Sequence, residues 1–151
     1  MRHELTITRD IDVPREKLFR CWTEVGLFDR WFCPRPCHSR NTVLEPWIGG
    51  RFETELVGPQ GELYSNVAVF LDVIPNKRLV WSDSFRGGDE PSPGLCYLGI
   101  VTFKDLGDGR TRYTARARHW TRGARDKHLA LGFEEGAAKS LDQLEEVAGA
   151  L

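Results

Sequence analysis

A chain of 151 residues, 40% hydrophobic and 11% aromatic, can bury roughly two thirds of its extended surface, enough for one core and too little for two. Charged residues make up 28% but cancel to a net −1, so the composition excludes a disordered chain and supplies no basic field for nucleic acid. The longest apolar run, Val67 to Leu71, is far below the roughly 20 residues needed to cross a bilayer, and no apolar segment follows Met1; a cytoplasmic single domain over residues 1–151 is expected.

Residues His3 to Ile11 alternate with a period of two, placing Leu5, Ile7, Arg9 and Ile11 on one side of a strand. Asp12-Val13-Pro14 then stops the strand and starts a helix, because proline is tolerated in a first helical turn. Val13, Leu18 and Cys21-Trp22 give that helix one apolar stripe, and Val25 to Phe32 reads as a second short helix ended by Pro34 and Pro36. Six strands follow: Asn41 to Glu45, Arg51 to Val57, Glu62 to Ile74, Lys77 to Phe85, Leu95 to Leu106 and Arg110 to Trp120. The breaks between them, among them Gly49-Gly50, Pro75-Asn76, the Gly87 to Gly94 loop and Gly107-Asp108-Gly109, are short and predict an antiparallel meander. In the last strand Arg110, Arg112, Arg116 and Arg118 alternate with Tyr113, Ala115, Ala117 and His119, so His119 faces inward. From about Ala124 the chain lacks proline and carries Ala130, Phe133, Ala137, Leu141, Leu144, Ala148 and Leu151 on one stripe, predicting a single long helix. The economical packing is an α+β fold in which a curved antiparallel sheet wraps around that long C-terminal helix, with the two short helices after the first strand.

Four cysteines, Cys21, Cys33, Cys37 and Cys96, in a chain large enough to fold without cross-links predict free thiols. Cys33-Pro34-Arg35-Pro36-Cys37-His38 offers thiolate and imidazole, but no second ligand pair exists, so no metal and no cofactor are expected; Cys33 and Cys37 lie within disulfide reach under oxidation. Arg110 to His128 holds seven basic residues against Asp126, while Leu129 to Leu151 holds five acids against Lys139. Mutual compensation of strand and helix, or protection of a strand edge, explains these charges better than nucleic-acid binding.

The order of elements resembles the helix-grip fold of the START-like (SRPBCC) superfamily. Several segments resemble, more narrowly, the activator of heat-shock-protein-90 ATPase homologue-like family: Val13-Pro14-Arg15 with Phe19-Arg20 and Trp22-Thr23, Trp31-Phe32 before Pro34, Gly49-Gly50-Arg51-Phe52, Pro75 with Arg78-Leu79-Val80, and Gly132 to Gly136 with Leu141 to Leu144. The resemblance implies a cavity between sheet and long helix and does not by itself imply a reaction. Members that stimulate the chaperone ATPase carry a further N-terminal domain, which weighs against a chaperone partner for this chain. Where the family tends to place tryptophan after Glu135-Gly136, this chain has Ala137, which would leave more space.

The expected function is the binding of a small, largely hydrophobic molecule in that cavity. Its expected lining is Trp31, Phe32, Phe52, Trp81, Tyr97, Phe103, Tyr113, His119, His128, Leu131, Phe133 and Glu135; the competing expectation is that these side chains pack solidly. Seven residues separate His128 from Glu135, which on one continuous helix puts both on one face as an acid–base pair for a cavity enzyme of isomerase, cyclase or hydrolase type. No nucleophile or oriented triad accompanies them, so no catalytic residue is assigned. A chaperone-associated interaction module is the other alternative, and exposed strand edges would suit a homodimer.

Overall fold

The opening alternation forms β1 (His3–Ile11), with Leu5 and Ile11 buried and Thr6, Thr8 and Asp10 turned to solvent. The computed structural model describes residues 3–86, 90–91 and 97–151. Pro14 precedes helix α1 (Arg15–Thr23), which buries Leu18, Cys21 and Trp22. The second helix, α2 (Val25–Phe28), is one turn long and ends short of the expected Phe32. Beyond it the main chain continues in turns, Trp31 and Phe32 both bonding back to the Phe28 carbonyl, while the Trp31 indole N–H donates to the Cys21 carbonyl at 2.8 Å.

The strands that follow are β2 (His38–Leu44), β3 (Arg51–Val57), β4 (Leu63–Ile74), β5 (Arg78–Ser82), β6 (Phe85–Arg86), β7 (Glu90–Pro91), β8 (Tyr97–Gly107) and β9 (Arg110–His119). Six of them join β1 in one seven-stranded antiparallel sheet of order β1-β9-β8-β5-β4-β3-β2, and β6 pairs with β7 apart from it. The expected strand to Phe85 stops at Ser82 because side chains take over from the ladder there. Ser82 Oγ donates to the Tyr97 carbonyl at 3.0 Å, and the Tyr97 N–H donates to Asp83 Oδ1 at 3.0 Å. Of the loop expected over 87–94 only 90–91 are described, and Cys96 lies outside the described residues.

Strand β9 is interior, between β1 and β8, so its arginines guard no edge. Nor do they compensate the acidic helix. Arg112 and Arg118 pair across the sheet with their register partners Asp10 and Glu4 on β1. The helix acids Asp142 and Glu145 are met by Arg9, and Glu146 by Arg35. Cross-strand pairs of opposite charge favour this register, weakly where they are exposed.

The predicted single C-terminal helix is two, α3 (Arg122–Ala130) and α4 (Phe133–Gly149). Gly132 separates them at φ 92°, a left-handed conformation that costs glycine nothing and other residues about 1 kcal/mol or more. Helix α3 starts on Thr121, whose hydroxyl accepts the Ala124 N–H at 3.1 Å, and it buries no residue. Helix α4 buries Leu141, Gln143, Leu144, Val147 and Ala148, its apolar members worth roughly 1.5–3 kcal/mol per fully buried Leu or Val.

Gln143 is the polar residue the stripe does not foresee. Its amide donates to the carbonyls of Trp31 (2.8 Å) and Cys33 (2.9 Å), and its oxygen accepts the Arg35 N–H at 2.8 Å. Ser140 adds a bond to the Phe32 carbonyl. One face of α4 thus fixes the loop after α2. Cys33 and Cys37 in that loop are joined as a disulfide, correcting the expectation of free thiols; Cys21 is free, and burial pushes its thiol up to about 11.

Candidate ligand-binding cavity

The sheet and α4 do not meet along their full length, and the reason is side-chain size. In its second half α4 sets Leu141, Leu144 and Val147 against the sheet, whereas its first turns present Gly136, Ala137 and Ser140. A cavity of about 500 Å³ fills the difference, within the range typical of small-molecule sites.

Its walls come from every layer. Ile7 on β1 and Tyr113, Ala115 and Ala117 on β9 form the floor with Val101 on β8. Trp22, Trp31 and Phe32 close one side, Trp81 and Tyr97 another, and His128, Leu131 and Phe133 the roof. Leu56 and Tyr64, register partners on β3 and β4, reach the rim, where Tyr64 and Leu131 are exposed. The aromatic wall is braced by its own packing, Trp22 lying 5.0 Å between ring centroids from both Trp31 and Trp81. Such pairs add about 0.5–1.5 kcal/mol beyond buried area.

Eight of the twelve expected residues line this space: Trp31, Phe32, Trp81, Tyr97, Tyr113, His128, Leu131 and Phe133. Four do not. Phe52 is stacked on Phe70 at 5.4 Å and belongs to the solid core, and Phe103 is enclosed by Phe19 and Tyr113. His119 is buried but sits behind His128 rather than on the wall. Glu135 is exposed, because the break at Gly132 removes the continuous helix that would have aligned it with His128. The acid–base pair is therefore not formed, and His128 instead meets His119, Nδ1 to Nε2, at 2.9 Å. The expected lining lacked Trp22 and Tyr64; it also lacked Ile7, Ala115 and Ala117, although strand parity marked them as inward, and Gly136 and Ser140, whose smallness opens the space.

The polar groups of the wall are held neutral. Burial raises the Tyr113 phenol well above the ordinary tyrosine range, against a smaller downward pull from the Trp22 indole N–H, which donates to it at 3.1 Å. Burial likewise raises Tyr97 to about 12, with Asp83 reinforcing and Trp81 partly offsetting. Burial first, and His119 second, lower His128 to about 4. With the ionised forms of Tyr97, Tyr113 and His128 disfavoured and Arg116 the one charged residue on the lining, the site suits an uncharged, mostly apolar guest. Among the described residues no group of three His, Cys, Asp or Glu side chains could hold a metal ion, and no helix is long and apolar enough to cross a membrane.

A curved sheet gripping a terminal helix over an internal cavity defines the START-like class. Residues 12–149 match the family described as activator of Hsp90 ATPase homolog 1-like protein, and the chain belongs to that family. It is similar to a solved Nitrosomonas europaea protein at 32% identity and TM-score 0.91, over 97% of this chain and 94% of that one. Proteins from Mycobacterium smegmatis (22% identity, TM-score 0.82, 96% and 90% coverage) and Rhodobacter sphaeroides (22%, 0.84, 99% and 94%) share the fold. Comparison with curated proteins finds no match.

Proposed function

We propose that this protein is a binding module for a small, largely hydrophobic molecule held between the sheet and α4. The observation that carries the reading is the cavity of about 500 Å³ with an almost wholly apolar, aromatic-rich wall. An empty apolar void of that size costs stability, since its lining forgoes dispersion contacts that a guest restores. With Glu135 in solvent, the geometry favours holding a guest over proton-transfer chemistry by the expected pair. A cytoplasmic location accompanies this reading, and the reducing thiol pool there would open the Cys33–Cys37 bond.

The test is a thermal-shift screen of uncharged bicyclic aromatics and lipid-like compounds against the parent and Ala137→Trp. Ligands should raise the parent's Tm by mass action, about 2.7 kcal/mol of stabilisation at a hundredfold excess over Kd. The tryptophan enters the same space from α4, so Ala137→Trp should remain folded and lose the shift. No stabilisation of the parent by any compound, together with a higher Tm in Ala137→Trp, would reduce the cavity to loose packing.

A further inference from the structure

A carbonyl oxygen only accepts hydrogen bonds. The 3.2 Å contact between His119 Nδ1 and the main-chain carbonyl of His3 therefore places a proton on that Nδ1. A neutral imidazole has one N–H, which leaves His119 Nε2 a bare acceptor. The 2.9 Å contact to His128 must then be donated by His128 Nδ1, and the same rule strips the proton from His128 Nε2. That last nitrogen makes no hydrogen bond to the described residues and is not one of the buried side-chain atoms left unpaired among them.

The chain of bonds is held at each link. His3 and Tyr97 flank His119 in the sheet register, one from each neighbouring strand. The His128 ring is packed against Tyr97 at 4.9 Å and Phe133 at 5.1 Å, both cavity residues. An apolar wall thus carries one fixed lone pair, and in a poorly hydrated site the sign of such a contact matters more than in water.

We propose, resting on the cavity reading above, that the ligand is an apolar ring compound bearing an O–H or N–H group whose proton is bonded by Nε2 of His128, with His119 as the positioning residue that fixes the tautomer. A guest offering only acceptor atoms at that place would set lone pair against lone pair.

The experiment uses the full chain at pH 8, above the ordinary imidazole range, with 1-naphthol and its acceptor-only counterpart 1-methoxynaphthalene as probes. The parent should bind naphthol about 3- to 10-fold more tightly, the worth of one net hydrogen bond. His128→Phe should bring the ratio to about one, and His119→Phe should lower it while leaving His128 in place. Nitrogen-edited NMR of the parent, which needs no variant, should find both rings as Nδ1–H tautomers, and a proton on Nε2 of either would overturn the assignment. Equal binding of the two probes, or a preference surviving in His128→Phe, would overturn the proposal and leave the hydrophobic cavity standing. Failure of both probes to bind would remove the cavity reading with it.

Discussion

Gly99 on β8 lies opposite Trp81 in the register, and the indole rests on it. A Cβ added there would sit 2.2 Å from Trp81 Cε2 and 2.3 Å from Cζ2, where carbon contacts settle at about 3.5–4.0 Å. Gly99→Ala therefore demands that the ring retreat by roughly 1.3 Å or more. Phe52 at 5.5 Å and Trp22 at 5.0 Å bar two directions, leaving the cavity as the way out. Overpacking of this kind costs about 1–3 kcal/mol, and the lower backbone entropy of alanine returns roughly 0.5–1. The net loss of about 0.5–2 kcal/mol should lower Tm by about 1–8 °C in a chain of this size. Thermal unfolding followed by circular dichroism reads that drop; tryptophan fluorescence and probe affinity read the displaced ring. Trp81→Phe combined with Gly99→Ala should be less than additive, since the clash needs both partners. A Gly99→Ala protein with parental Tm, fluorescence and affinity would refute the contact as the origin of this glycine.

Three further outcomes follow from named contacts. Gln143→Leu leaves the carbonyls of Trp31 and Cys33 and the N–H of Arg35 without their partner, and urea unfolding should find it about 2–4 kcal/mol less stable. His128 sits near 4 when folded against about 6.5 when unfolded, so the unfolded chain takes up the proton first. Its contribution is intact above about pH 6.5 and is lost as pH falls toward 4, by on the order of 2 kcal/mol once partial exposure is allowed for; His128→Gln should flatten that slope. Reduction of Cys33–Cys37, a short loop with a sequence separation of 4, should remove about 2 kcal/mol, seen as a Tm lowered by about 4–8 °C in the presence of a reductant.

The sheet was largely legible in the sequence because alternation and turn residues act locally: β1 and β3 have the predicted bounds, and the other expected strands shift by one to three residues. The position of β1 beside β9 is a long-range choice that no local pattern encodes, and it turned the supposed edge into an interior strand with its own carboxylate partners. The long helix failed at one residue. Its apolar stripe runs past Gly132 unbroken, and only the backbone reveals the left-handed turn that parts α3 from α4 and sends Glu135 outward. Most of the aromatic wall was found, as Trp31, Phe32, Trp81, Tyr97, Tyr113 and Phe133, while most of the aliphatic and small residues were not. The void was foreseen at Ala137 alone; Gly136 and Ser140, which open it further, are conspicuous only once the helix face they occupy is known. Gln143 likewise reads as a surface residue until the loop it anchors is in place.

The two halves of the roof differ in mechanical compliance. Gln143, the Lys17 ammonium on the Leu151 carbonyl, and Arg9 on Asp142 and Glu145 clamp the far end of α4, while α3 is anchored by no buried side chain. Opening is cheapest where buried contacts are fewest. For a guest held as proposed, the expected way in is a swing of α3 about the Gly132 joint that breaks the His119–His128 bond, on the roughly microsecond-to-millisecond scale of helix hinges. Stiffening that joint would slow exchange in both directions and leave the equilibrium between loaded and empty protein nearly where it was.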